Sequence, residues 1–229
     1  MVYFIADPHF GHVNAIRLCN RPFETIEEMN ETLIQNWNER VRGNDTVYIV
    51  GDMFFRCADP EAILKRLHGR MHLLIGNHDG SWIHKVDTAK YFQSVSHMLE
   101  TSDGEHALTL CHYPLLSWNH QKRSYMIYGH LHANTDVDFM PQIFSRPNML
   151  NAGVDINGFR PVTFSELVEN NRAFIRENTE SRIAGDESET QRGAIPDGPS
   201  LVDSLVGILH SDVDAEKRTA NRFDEIKME

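Results

Sequence analysis

Short apolar runs that end in metal-binding side chains recur along this sequence, and they restrict its fold more than any other feature. Each run consists mainly of β-branched, aromatic or leucine residues and is closed by glycine or a polar residue, which is typical of buried strands. The runs span residues 2–6, 46–50, 71–75, 107–111 and 125–128. Helical patterns separate several of them, so the sequence predicts an α/β domain.

The side chains that follow these runs form five fragments. The fragments are Asp7-Pro8-His9, Gly51-Asp52, Gly76-Asn77-His78-Asp79, His112 and Gly129-His130-Leu131-His132. Most are weak signals alone, because glycine and aspartate suit an ordinary turn and the chain has 13 histidines. Ligands bind at the carboxyl ends of strands in open α/β sheets, so the ordered combination predicts that these side chains converge.

The donor set predicts a pair of divalent cations rather than a structural zinc or calcium site. It consists of Asp7, His9, Asp52, Asn77, His112, His130 and His132. Carboxylate, amide and imidazole groups without thiolate suit Mn, Fe, Zn, Co or Ni. Seven ligands suit two ions about 3.5–4 Å apart that share a carboxylate, an arrangement that typically activates water for displacement at phosphorus.

Helix signals are clear in several places between the predicted strands. An apolar stripe runs over residues 26–41, with Thr25 and Glu28 as a capping box at its start. Asp59 and Pro60 open a shorter helix. Further expectations are a loop over 133–150, a strand over 149–154 and a helix over 163–175.

The net charge of −11 is unevenly distributed and divides the chain. Residues 1–175 hold 20 acidic and 15 basic residues, whereas 176–229 hold 13 and 7. We expect a domain over 1–177 and an acidic extension over 178–229, with a linker and one or two helices (200–209, then up to 226). The extension is interpreted as a disordered appendage, a lid or a homodimer-forming arm. Long nucleic acid is not an expected partner of so acidic a surface.

Other features indicate the cellular setting. No run approaches about 18 apolar residues, so no membrane span is expected. The N-terminus lacks the basic region and cleavage site of a secretion signal. Cys19, Cys57 and Cys111 are odd in number and widely spaced, as is typical of reduced thiols, so we expect a cytoplasmic protein.

The five fragments, in this order, resemble the calcineurin-like metallophosphoesterase superfamily, over roughly residues 1–170. The resemblance implies a four-layer α/β/β/α sandwich with two mixed β-sheets and a dinuclear site at one edge. It also implies roles for single residues. The first metal would be held by Asp7, His9 and His132, the second by Asn77, His112 and His130, and Asp52 would bridge them. His78 would stabilise the phosphoryl transition state or protonate the leaving oxygen.

A segment over residues 7–23 resembles a subgroup of small bacterial and phage phosphoesterases. In the protein phosphatase branch, by contrast, the second motif has the form G-D-x-x-D-R-G. Here Arg56 matches the phosphate-binding arginine, but Phe55 occupies the aspartate's place. The histidine–aspartate dyad of that branch is therefore absent, which argues against a protein phosphatase.

The expected enzyme is a metal-dependent phosphoesterase with manganese as the first choice of metal. The favoured reaction is hydrolysis of small, nucleotide-like phosphodiesters, with cyclic nucleotides among the candidates, by a hydroxide that bridges the metals. Candidate substrate contacts are Arg17, Arg21, Arg56 and Arg160, because guanidinium groups bind phosphate with paired hydrogen bonds. His12 and Asn14 are candidates for orienting the ligands or, equally, for capping the following helix. Alternatives are a phosphomonoesterase, a nuclease and, remotely, a non-enzymatic scaffold.

Overall fold

The protein is described by a computed structural model that covers residues 1–189, with side chains as far as 180. Residues Met1–Arg182 form one compact unit of the chain. Eight strands lie in this unit: β1 Val2–Ile5, β2 Thr46–Val50, β3 Arg70–Leu74, β4 Phe92–Ser96, β5 Met98–Ser102, β6 Ala107–Cys111, β7 Ser124–Tyr128 and β8 Met149–Asn151. The helices are α1 Val13–Leu18, α2 Ile26–Arg40, α3 Pro60–Leu64, α4 Gly80–Ile83, α5 Met140–Phe144 and α6 Phe164–Glu189.

The strands form two four-stranded sheets, in the orders β1-β2-β3-β4 and β5-β6-β7-β8. All pairings among β1–β4 are parallel. Within residues 1–189, antiparallel pairing with this sheet is limited to an isolated bridge between Phe4 and Val162. In the second sheet β5 is antiparallel to β6, while β6, β7 and β8 are parallel. The expected pair of sheets is confirmed, with mixed strand directions concentrated in the second.

Alternation of side chains along the strands creates three apolar layers. Tyr3 and Ile5 pack with α2 in one cluster, whereas Phe4 faces the second sheet together with Leu110 and Ile127. The other face of the second sheet packs against α5 in a third cluster. Because successive side chains of a strand point to opposite faces, both faces of each sheet are buried. The architecture is therefore the expected α/β/β/α sandwich.

The helix starts follow the sequence signals. Thr25 Oγ1 accepts a hydrogen bond from Glu28 N at 3.1 Å, and Glu28 Oε2 accepts one from Glu24 N at 2.8 Å. Asp59 Oδ1 accepts from Ala62 N at 3.0 Å at the start of α3. Trp37 is fully buried within the α2 layer. These caps orient the two helices whose apolar faces cover the first sheet.

Several elements differ from the sequence expectations. β4 and β5 had no strand signal because both are edge strands with mostly polar sequences. The region 133–150 was expected to be a loop but contains α5. α6 continues to Glu189, beyond the predicted domain boundary at 177, because 176–184 contains neither glycine nor proline to end it. The predicted helices over 200–209 and up to 226 lie outside the described residues.

Candidate metal centre

The five sequence fragments lie together at one edge of the sandwich, where β1, β2, β3, β6 and β7 end. Backbone hydrogen bonds connect the loops there: Asp7 N donates to Gly51 O at 3.0 Å, and His9 N donates to Asp52 O at 3.1 Å. Gly129 N donates to His112 O at 2.9 Å. The parallel register within each sheet therefore brings residues that are distant in sequence into one pocket.

The backbone itself is strained at this edge. Left-handed φ angles between 52° and 71° occur at five of the expected ligands: Asp7, His9, Asp52, His130 and His132. Non-glycine residues rarely adopt this conformation, and each instance costs on the order of 1–3 kcal/mol. Such strain clusters at functional sites, where the surrounding structure holds it in place.

Two motif glycines leave room for ligand carboxylates. A Cβ atom on Gly76 would lie 2.2 Å from Asp52 Oδ1, and one on Gly129 would lie 2.6 Å from Asp7 Oδ2. No side chain fits at these distances. The glycines of the sequence fragments are thus required by close packing of the backbone against the ligand groups.

Asp7, His9 and His132 form the first group of expected ligands. One donor atom from each lies within 4.8 Å of the others. Asp7 and His9 are almost completely buried, with relative exposures of 0% and 2%. Both oxygens of the Asp7 carboxylate accept from His130 N, at 3.1 and 2.9 Å, which fixes the carboxylate at the end of β1.

Asn77, His112 and His130 form the second group. Asn77 Oδ1 lies 3.0 Å from His112 Nε2 and 3.0 Å from His130 Nδ1. His112 is fully buried, and its Nδ1 lies 2.9 Å from Val50 O. The backbone carbonyl thereby turns the other ring nitrogen of His112 towards Asn77.

Asp52 lies between the two groups. Its Oδ2 is 3.7 Å from His9 Nε2 of the first group and 3.4 Å from His112 Nε2 of the second. Its Oδ1 accepts from His78 N at 2.8 Å. One oxygen is thus anchored by the backbone, while the other faces ligands of both groups.

Comparison with known proteins agrees with this geometry. Residues 1–177 match the family model described as calcineurin-like phosphoesterase. The chain belongs to this family. Its members are metal-dependent phosphoester hydrolases with dinuclear centres, so the protein is an enzyme of that class.

Individual relatives agree with the assignment. An uncharacterised protein of Methanocaldococcus jannaschii is 33% identical over 171 residues, which cover 73% of this chain and 89% of that protein. The gene 66 protein of Mycobacterium phage L5 is 32% identical over 82 residues, 34% of this chain and 39% of that protein. A solved protein of unknown function from Aquifex aeolicus has a TM-score of 0.59 at 24% identity, covering 74% of this chain and 98% of its own; it supports the fold. Within residues 1–189, no helix is long and apolar enough to cross a membrane.

The charges of this phosphoesterase site favour a bound cation. Burial raises the pKa of Asp7 to about 6, partly offset by His132 and His112. Burial opposes protonation of His112, but its hydrogen bond with Asp52 and the charges of Asp7 and Asp52 raise its pKa to about 9. Burial and neighbouring cations keep the pKa of His9 well below its ordinary value, so this imidazole is neutral at pH 7. Without a cation, a protonated His112 balances the two buried carboxylates. A histidine binds metal in its neutral form, so a divalent ion at this site would replace that proton.

His78 lies at the mouth of the pocket, with 30% of its side chain exposed. Its Nε2 is 3.9 Å from Asp52 Oδ2. The Phe55 ring packs edge-on against it at 4.5 Å between centroids, and His12 lies at 5.9 Å. A phenylalanine ring rather than a carboxylate therefore packs directly against His78.

Two aspartates with structural roles at the site were missed by the sequence reasoning. Asp79 is completely buried and accepts four hydrogen bonds, from the backbone N–H groups of Asp52, Met53 and Gly76 and from Trp82 Nε1. It therefore connects the loops after β2 and β3.

The second of these aspartates is Asp155, whose Oδ2 lies 2.7 Å from His132 Nδ1. Its position shortly after β8 was the available signal, since the other site residues also follow strands.

The four arginines expected to contact substrate have different surroundings. The expected substrate contact of Arg21 is wrong, because its side chain has no exposed surface. It donates instead to Asp155 and to two backbone carbonyls. Arg160 is exposed, with Nη2 at 3.9 Å from Glu166 Oε1. Arg17 and Arg56 are also exposed, and the Arg56 guanidinium lies 5.1 Å from the centre of the Phe55 ring.

Proposed function

We propose that this phosphoesterase hydrolyses small, nucleotide-like phosphodiesters, cyclic nucleotides included, with two divalent ions bound by the ligands named above. Manganese is the first choice, with Fe, Zn, Co and Ni as alternatives. The observation that carries the proposal is the position of Asp52 Oδ2, within 3.7 Å of His9 Nε2 and 3.4 Å of His112 Nε2. A carboxylate oxygen between two ligand groups is suited to bridging two cations.

When bound, the metal ions would supply an activated water molecule and neutralise charge on the phosphoryl oxygens. The protein groups have separate tasks. Asp52, held through its other oxygen by His78 N, fixes the spacing of the two ligand groups. The partly exposed His78 ring lies beside the shared carboxylate, where it can donate a hydrogen bond to a phosphoryl oxygen or a proton to the leaving oxygen.

The cations around the site favour a diester over a monoester. Arg21 is buried and paired with Asp155, and Arg160 lies near Glu166. Arg17 and Arg56 are exposed and stay candidates for a phosphate contact. A monoester carries nearly two negative charges at neutral pH and a diester carries one, so a site with fewer cationic side chains suits the diester better.

An aromatic side chain beside the expected ligands supports a substrate in which the alcohol part of the ester is nucleotide-like. Tyr113 is 45% exposed, and its ring lies 5.2 Å from that of His112 and 4.8 Å from that of His130. The phenol of a tyrosine is protonated at neutral pH, so Tyr113 can donate a hydrogen bond. An exposed ring beside the expected ligands offers a stacking surface to a base or another aromatic ester group.

A parallel assay tests this function. The protein, supplied with Mn²⁺, should hydrolyse bis-p-nitrophenyl phosphate with a higher kcat/KM than p-nitrophenyl phosphate, and it should cleave 2′,3′-cyclic nucleotides. A higher kcat/KM for the monoester would replace the proposal with a phosphomonoesterase. Repeating the assay with Fe²⁺, Zn²⁺, Co²⁺ and Ni²⁺ ranks the metals.

We also propose that 1–177 form the catalytic domain, that the acidic extension makes a homodimer and that the protein acts in the cytoplasm. The free thiols Cys19, Cys57 and Cys111 support a reducing compartment. The mass of the full chain in solution tests the dimer: a monomer at micromolar concentration would contradict it.

A further inference from the structure

A buried ion pair lies directly behind the first group of expected ligands, and none of its members is itself one of them. We propose that Asp155 is a positioning residue for His132, and that the Arg21–Asp155 pair thereby controls metal occupancy of the position formed by Asp7, His9 and His132. This inference rests on the metal ligands of the proposed function. Arg21 and Asp155 come from segments 134 residues apart in the sequence.

Asp155 fixes the orientation of the His132 ring. The distance of 2.7 Å between His132 Nδ1 and Asp155 Oδ2 is that of a strong hydrogen bond. The Asp155 side chain is 3% exposed, so water competes little for it. A carboxylate acceptor places the ring proton on Nδ1, which leaves the lone pair of Nε2 available to a cation.

Arg21 holds Asp155 in place and connects it to a second ligand-bearing loop. Its Nε donates to Asp155 Oδ1 at 2.8 Å and its Nη2 donates to Oδ2 at 3.1 Å, a two-point contact that restricts rotation of the carboxylate. The same guanidinium donates to Asp7 O at 2.7 Å and to Pro8 O at 2.9 Å. One buried cation thus fixes Asp155 and also the strained turn that presents Asp7 and His9.

An alternative interpretation is a separate cation site made of Cys19, His132 and Asp155, whose donor atoms also lie within 4.8 Å of one another. Arg21 argues against it, because a guanidinium already bonded to both carboxylate oxygens would repel a metal ion. Cys19 Sγ is also farther from His132 Nδ1 than Asp155 is, at 3.5 Å. The carboxylate therefore orients the imidazole rather than binding a cation of its own.

The second group of ligands has an independent support. His112 Nδ1 lies against a backbone carbonyl, Val50 O, and among the described residues neither Asn77 nor His130 is hydrogen-bonded to Asp155 or Arg21. Loss of the Asp155 carboxylate should therefore weaken binding at the first position and spare the second. A pair with a merely structural role would lower stability without this selectivity.

The test measures metal binding by the full chain. Wild-type protein, Asp155→Asn and Glu166→Gln are equilibrated with graded Mn²⁺, and bound metal is counted by elemental analysis. Glu166 is the matched control, because it also accepts hydrogen bonds from an arginine, Arg40, at 2.7 Å. Among the described residues its carboxylate is not hydrogen-bonded to any expected metal ligand. We expect two ions per chain in the wild type and the control. In Asp155→Asn the affinity of one position should fall about 10–100-fold, the usual effect of removing a ligand's orienting partner.

The outcomes separate the inference from the proposed function. A folded Asp155→Asn variant that binds two ions with wild-type affinity overturns the inference alone. Wild-type protein that binds no metal overturns the proposed function. Nitrogen-15 NMR of the Zn²⁺-loaded wild type gives a second readout that needs no variant to fold. The His132 ring should carry its proton on Nδ1, and a ring proton on Nε2 would contradict the role of Asp155.

Discussion

At the scale of single residues, His78 is the side chain whose role can be tested most directly. It does not belong to either group of expected metal ligands, yet its ring lies beside Asp52 at the mouth of the pocket. Replacing it with alanine should leave the metal content unchanged and lower kcat by about 10²–10⁴, the usual contribution of acid–base help. Metal analysis and steady-state kinetics measure the two effects.

The control for this variant is His68→Ala, since His68 is exposed and precedes β3, whereas the site follows the carboxyl ends of the strands. If His78 protonates the leaving oxygen, the loss should be larger for alkyl esters than for p-nitrophenyl esters. Equal, wild-type rates on both kinds of ester would rule out the role.

Residues that position the expected metal ligands were harder to predict than the ligands themselves. Asp7 and Asn77 could be singled out because chelating groups after apolar runs form a repeated pattern. Arg21 was expected to contact phosphate, since its sequence context cannot show whether a guanidinium is buried. Its partner, Asp155, is 134 residues away. Pairing over such a distance depends on the tertiary fold, which local sequence does not specify.

At the scale of elements, the local sequence predicted strands correctly where its apolar pattern matched the burial of the strand in the fold. The central strands β2 and β6 begin and end at the predicted residues, because they are apolar on both faces. β5 reads Met-Leu-Glu-Thr-Ser and has one half-buried and one exposed face, so its strand conformation comes mainly from pairing with β6. Edge strands of this kind carry little periodic signal.

The N-terminal cap of α2 offers a test at this scale. Thr25→Ala removes the hydroxyl that accepts from Glu28 N, and the free energy of unfolding should fall by about 1 kcal/mol. Urea unfolding followed by circular dichroism measures the change. Thr25→Ser keeps the hydroxyl and should stay within about 0.5 kcal/mol of the wild type. An alanine variant as stable as the serine variant would contradict the cap.

At the scale of the whole molecule, the two sheets are joined by their shared site as well as by the apolar layer between them. Asp7 follows the first sheet, and His112 and His130 follow the second. Each group of expected ligands combines residues from both sheets, because His132 joins Asp7 in the first group and Asn77 joins His112 and His130 in the second. Binding of metal should therefore stabilise the contact between the sheets and not only the loops.

Metal removal tests this connection. Asp7 and Asp52 are both buried, so their negative charges destabilise the folded chain unless a cation lies beside them. A metal that binds only the folded state adds about 2.7 kcal/mol per site at a free concentration 100 times its Kd. The melting temperature should therefore fall on chelation and rise with added Mn²⁺ in proportion to the logarithm of its concentration. Asp52→Asn should weaken this dependence, because both groups lose their shared oxygen donor. A wild-type melting temperature that is unchanged by every divalent ion tested would mean that the buried carboxylates are balanced by the imidazoles alone.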